Sequence, residues 1–161
     1  MAKLTTCTAE MRDRGTVLYR LHDLEDIVPH RRSALLADSI FRCDENLFGT
    51  WMPEKCRFEG HFDSEPVLPA HYLMESGAIL GLCAATFFFG KEDKQLKVLA
   101  SKMSIEAKKT VAPGKEVFFS FEDFGEPRHI RSMIIFTGKV TAWVDGVLVA
   151  IIEVTGSVTF S

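Results

Sequence analysis

From Val67 to Phe89 the chain is almost continuously apolar, and no other segment constrains the fold as strongly. The run contains Pro69, His71 and Glu75, and its clean apolar part, Gly77 to Phe89, has 13 residues. Proline is favoured in the first turn of a helix, where its missing N–H is no loss. Gly90 is a good terminator. The segment therefore predicts a helix from Pro69 to Phe89. Thirteen clean residues fall short of the roughly 20 that a membrane span needs, so the helix reads as a buried core element and no membrane span is expected. It is apolar on nearly every face, so other elements must wrap it.

The segments available to do so read mostly as strands. Residues 34–43 and 47–52 read as two strands around the turn formers Asp44, Glu45 and Asn46. Residues 94–107 and 115–124 flank a Val-Ala-Pro-Gly turn. Residues 130–143 and 147–160 flank Val144-Asp145-Gly146, a hairpin signal. Residues 53–68, rich in Pro, Gly and charge, read as a loop with at most one short strand. Leu21, Leu24, Ile27 and Val28 recur at helical spacing before Pro29 stops the pattern. Residues 1–19 read as a polar leader, a tail or a first edge strand through the apolar Val17–Tyr19, and residues 20–161 as one domain. Antiparallel strands plus one buried helix give an α+β fold, a curved sheet wrapped around the helix.

Composition narrows the function. At 161 residues the chain can bury roughly 70% of its unfolded surface and needs no staples. A net charge of −3, with no basic run, gives no reason to expect nucleic-acid binding. Cys7, Cys43, Cys56 and Cys83 have neither C-x-x-C nor zinc-like spacing and read as free thiols of a reducing compartment. The opening residues lack the apolar stretch of a secretory signal, which points to the cytosol.

The chemistry concentrates in residues 58–78, FEGHFDSEPVLPAHYLMESGA. Glu75 is the sharper clue, a carboxylate flanked by Leu73, Met74, Ala78 and Ile79. An ionised carboxylate is rarely buried without a partner or a task. Burial would raise its pKa toward the range where a carboxyl exchanges protons near neutrality. The plainer reading puts Glu75 on one narrow wet stripe of the helix. Residue type alone does not separate the two. A turn histidine such as His61 is more often a hydrogen-bonded surface group, and His71 at the helix start reads as a capping or surface group.

The arrangement resembles the beta-hydroxyacyl-acyl-carrier-protein dehydratases. Their pattern runs His-Phe-Pro, two residues, Pro, two residues, Pro-Gly, then a helix carrying Glu. Here it reads His61-Phe62-Asp63, Pro66, Pro69-Ala70, Glu75, with the His and the carboxylate 14 positions apart, as in the family. Ile27 to Ile40 is similar to the family's Leu-Pro-His-Arg segment, Lys108 to Lys115 to its basic strand ending in Pro-Gly-Asp, and Gly138 to Ala150 to its closing hairpin. The resemblance covers about residues 20–160. Three positions depart from it: Asp63 replaces Pro, Ala70 replaces Gly, and Ile79 stands where Gln is frequent.

The resemblance implies a hot-dog fold and dehydration of a 3-hydroxyacyl thioester in fatty-acid or polyketide-type biosynthesis. It implies that His61 removes the C2 proton while Glu75 positions or protonates the departing hydroxyl. The N–H groups of Ala70 and His71 would hold the thioester carbonyl, with Phe62 and Pro69 beside the substrate. Glu rather than Asp at position 75 is typical of the branch that dehydrates without isomerising. No metal or organic cofactor is implied, the substrate riding on the phosphopantetheine of an acyl carrier protein or on coenzyme A. A homodimer, or a higher oligomer built from it, is implied, in which His and Glu meet across the interface. The acidic carrier would dock on basic residues, for which Arg31, Arg32, Lys102, Lys108, Lys109, Arg128 and Arg131 are candidates. Two other readings stay open: a hot-dog thioesterase, which would release free acid, and a non-catalytic partner subunit, which Asp63 and Ala70 would permit.

Overall fold

The computed structural model describes residues 8–20, 23–24, 35–44, 46–62, 64–89 and 96–160. The periodic segment 21–28 and its stop at Pro29 lie largely outside these, as do Arg31, Arg32 and Asp63. In chain order the elements are α1 (Ala9–Arg14), β1 (Thr16–Arg20), β2 (Ser39–Cys43), β3 (Asn46–Trp51), a 3-10 helix (Lys55–Phe58), α2 (Ala70–Phe89), β4 (Leu96–Ala107), β5 (Val117–Phe124), β6 (Arg128–Ile130), β7 (Met133–Val144) and β8 (Val147–Phe160).

Eight strands form one antiparallel sheet in the order β1-β2-β3-β5-β7-β8-β4, with β6 pairing β7. The β7–β8 hairpin turns where expected. Asp145 and Gly146 both have positive φ, 49° and 74°, which matches the right-handed twist of the flanking strands. The Val17–Tyr19 run belongs to β1, an edge strand on β2, so the sheet begins at Thr16.

Two local readings are corrected, at residues 35–38 and 130–143. Residues 35–38 are not strand. Leu35, Leu36 and Ala37 are buried, but the Leu36 carbonyl accepts the Ser76 hydroxyl of α2, so its hydrogen bond goes to the helix rather than to a ladder. The loop 53–68 holds a 3-10 turn and no strand among its described residues. The strand expected at 130–143 is broken into β6 and β7 by a tight turn at Arg131, whose φ is 54°. Finally, β4 and β5, consecutive in sequence, are not neighbours: β4 lies beyond β8 at the sheet edge.

Helix α2 packs against β3, β4, β5, β7 and β8. Twelve of its 20 residues are buried, Leu80, Cys83, Ala84 and Ala85 completely. Close approach explains two glycines one turn apart. A Cβ at Gly77 would lie 2.8 Å from Ile152 Cδ1, and one at Gly81 would lie 3.1 Å from Val154 Cγ1. By length and a mean hydropathy of 1.5 the helix is able to cross a bilayer, yet 67% of that window is buried against protein. Burial by the sheet, not shortness of the apolar run, makes it a core helix. Its last turn is less buried: Phe89 packs on Phe124 and Phe136, while Phe87 and Phe88 are exposed.

Candidate active site

The 3-10 turn delivers His61. Phe58, only 4% exposed, anchors that turn in the core. Gly60 then takes a φ of 73° and Phe62 one of 60°. A non-glycine residue in that left-handed region costs about 1–2 kcal/mol, so the chain strains to make the corner at His61. The His61 Nδ1 lies 3.1 Å from the carbonyl oxygen of Val67. A carbonyl can only accept, so Nδ1 carries the hydrogen and donates it. In the neutral ring this leaves the Nε2 lone pair free, the arrangement a general base requires. The ring also meets Phe62 edge-on at 4.5 Å, and Phe62 is 65% exposed.

His61 and Phe62 line a cleft of about 600 Å³ whose other walls include Met52, Phe58, Pro113 and Gly114, with Lys55 at its border. Of these walls, Pro113 and Gly114 were legible only as a turn, and nothing in the sequence placed them beside His61. Lys55 carried no signal at all.

Helix α2 begins just past this corner. Leu68 N–H donates to Val111 O at 2.9 Å and ties the corner to the segment before Pro113. Pro69 accepts from Tyr72 N–H at 3.0 Å and closes the first turn. Ala70 is helical and is not among the residues with positive φ, so its methyl replaces the glycine hydrogen without left-handed strain. Neither its N–H nor that of His71 donates to another described residue. Both stand at the N-terminus of a 20-residue helix, where the macrodipole favours developing negative charge.

Glu75 is half-buried, not sealed in the core. It lies on a narrow accessible stripe with His71 and Met74, and this stripe opens into a second cleft of about 330 Å³. Ala78 and Ile79, one turn on, form the floor and are 2% and 1% exposed. Val98, Leu99 and Met103 of β4 form the facing wall. Both readings of Glu75 thus describe one geometry, a wet stripe that faces an apolar cleft. His71 is exposed and its ring meets that of Tyr72 at 4.2 Å, tilted by 40°. Within one chain no ion pair joins His61 and Glu75; the two line different clefts. Among the described residues no three His, Cys, Asp or Glu side chains cluster as a metal-ligand set.

The basic candidates do not form one patch. Lys102 is on β4, and Lys108 and Lys109 follow it, their N–H groups both bonded to Val149 O at 2.8 and 3.2 Å. Arg128 and Arg131 flank β6 beside Met133. The register sets Ala107 against Ala150 and Met133 against Thr159, so the Lys108–Lys109 pair and the Arg128–Arg131 pair sit at opposite ends of β8, about 30 Å apart at the usual strand rise, with Lys102 opposite Thr155 between them. All five are exposed, and Lys108 is paired with Glu106.

A 3-hydroxyacyl-[acyl-carrier-protein] dehydratase FabZ from Haemophilus ducreyi is 30% identical to this chain over 150 residues, covering 88% of the chain and 90% of that relative. The chain belongs to the FabZ family. FabZ of Mannheimia succiniciproducens is 32% identical over 145 residues, covering 83% and 89%, and FabZ of Bacillus subtilis 30% over 138 residues, covering 82% and 92%. No family profile matches the chain. Among solved structures, a thioesterase from Pseudomonas aeruginosa superposes with a TM-score of 0.63 at 14% identity, covering 89% of this chain and 96% of that one. A thioesterase from Haemophilus influenzae gives 0.62, also at 14% identity, covering 91% and 95%. At that identity the likeness is one of fold: the FabZ-family chain has the hot-dog architecture, an antiparallel sheet around one long helix.

Proposed function

We propose that this chain dehydrates 3-hydroxyacyl thioesters to trans-2-enoyl thioesters in the cytosol, with the acyl group carried on the phosphopantetheine of an acyl carrier protein. The observation that carries the mechanism is the His61 Nδ1–Val67 contact, which leaves the Nε2 lone pair of the neutral ring available to take a proton. His61 takes the C2 proton. The thioester carbonyl acidifies that carbon, more so when hydrogen bonded by Ala70 and His71 N–H at the helix start. Glu75 gives its proton to the C3 hydroxyl, which leaves as water. The proton held by His61 returns the carboxyl to its starting state, so no cofactor enters the balance. Phe62 and Pro69 border the thioester, and Glu75 rather than Asp favours dehydration without isomerisation.

His61 and Glu75 line different clefts, so the site needs a second copy of the chain. β4 is an edge strand that pairs only β8 among the described strands, and it exposes Leu99 at 48% and Met103 at 41% beside the Glu75 cleft. Pairing two β4 edges would extend the sheet and bring one copy's Glu75 toward the other's His61. Lys108 and Lys109 lie at the end of the sheet nearest Val111 and the helix start, so they suit carrier docking better than Arg128 and Arg131.

Mass spectrometry of the protein with 3-hydroxyacyl carriers tests the reaction. Enoyl thioester is expected, and free acid would favour the thioesterase reading. His61→Ala and Glu75→Gln should each lower turnover on the order of 100-fold or more while remaining folded. Mixing the two variants under subunit exchange should recover activity. No recovery despite verified exchange would place each site within one chain, and inactive wild type would favour a non-catalytic partner subunit.

A further inference from the structure

The proposed chemistry needs the His61 loop and the first turn of α2 held in one relation, although the chain that joins them, residues 62–69, has no helix or strand among its described residues. One contact braces the loop on itself, His61 Nδ1 to Val67 O three residues before the helix. A second comes from Arg57, in the 3-10 turn four residues before His61. Its guanidinium carbon lies 5.3 Å from the centroid of the Tyr72 ring. The Arg57 side chain is only 17% exposed, and its Nη2 lies 3.6 Å from Glu54 Oε2. Tyr72 is fixed in turn, its N–H bonded to Pro69 O and its ring in tilted contact with His71. A cation over an aromatic face gains more when water is excluded from it, and a planar guanidinium is the cation best shaped to stack.

We infer that Arg57 is a positioning residue: stacked on Tyr72, it clamps the His61 loop to the helix corner that presents Ala70 and His71. It touches no reacting atom and acts through the placement of His61, so the inference rests on the reading of His61 as the base. Phe58, buried at 4% exposure, anchors the same turn independently, so removing the guanidinium leaves the segment folded.

The test uses full-length Arg57→Leu, Tyr72→Leu, the double variant and Tyr72→Phe. Each leucine variant should lose about 10-fold in kcat with KM within about twofold, since small misplacements of a base are costly. The double variant should lose no more than either single one, because both remove the same contact. Tyr72→Phe keeps the ring face and should retain most of kcat. A readout without substrate is the 15N NMR tautomer pattern of the His61 ring: Nδ1-protonated in the wild type, mixed in Arg57→Leu. Unchanged kcat and tautomer in Arg57→Leu, or losses that multiply in the double variant, would overturn the clamp. An Arg57-dependent tautomer in a wild type that forms no enoyl product would uphold the clamp and sink the dehydratase reading instead.

Discussion

Ser76→Ala tests what holds the Glu75 segment of α2 in place. The Ser76 side chain is 0% exposed and donates its hydroxyl to the Leu36 carbonyl at 2.5 Å, joining the helix to the buried segment before β2. Alanine removes one oxygen and leaves almost no cavity, so the cost comes from the carbonyl. A buried acceptor deprived of its donor costs about 1–3 kcal/mol. Against this, alanine is the better helix former by roughly 0.5 kcal/mol. The net loss is then about 0.5–2.5 kcal/mol. A domain of this size loses about 2–4 °C in Tm per kcal/mol, so the melting temperature should fall by about 1–10 °C. Thermal unfolding followed by circular dichroism at fixed protein concentration measures it, the fixed concentration guarding against dimer mass action. Turnover should fall as well, since Glu75 is the adjacent residue. An unchanged or raised Tm would refute the reasoning, because it would mean that the Leu36 carbonyl is satisfied without Ser76.

Two further predictions concern titrating groups. Cys83 is 0% exposed and desolvation pushes its thiol up to about 12, so iodoacetamide should label exposed Cys56 in the native protein but neither Cys83 nor buried Cys43, even near pH 9; peptide mapping that finds native Cys83 labelled would contradict the packing of α2. Asp38 has its pKa raised above the ordinary 3.8, chiefly by burial, with the Met52 N–H bond opposing and Glu116 and Glu54 reinforcing the shift. Its raised pKa stabilises the fold fully below the unfolded value, a contribution that is lost as pH rises through the folded value. Asp38→Asn should therefore gain stability relative to wild type as pH rises from below 3.8 toward neutrality in urea unfolding, and a relative loss over that interval would reverse the sign argued here.

Much of the fold was legible because the signals were local. Pro69 and the nearly continuous apolar run mark α2 to within one residue at its start, and Asp145-Gly146 marks the β7–β8 turn. His61 and Glu75 stood out as a lone histidine at a Pro-rich corner and a carboxylate among apolar neighbours. The resemblance carried by His61-Phe62, Pro66, Pro69 and the 14-residue interval joined them into one hypothesis.

Tertiary structure alone decided the rest. Alternation of apolar residues says which face of a strand is buried but not which strand lies beside it, since ladder hydrogen bonds are made by a backbone common to every residue. So β4 could not be read as the partner of β8, nor as the open edge beside Glu75. The basic residues looked like one set until the register placed Lys108 and Arg131 at opposite ends of β8. Arg57 and Tyr72 each look like ordinary surface residues, and only packing puts the guanidinium over the ring. Local chemistry is written in residue type and spacing, whereas contacts between distant segments depend on how the whole sheet closes over its helix.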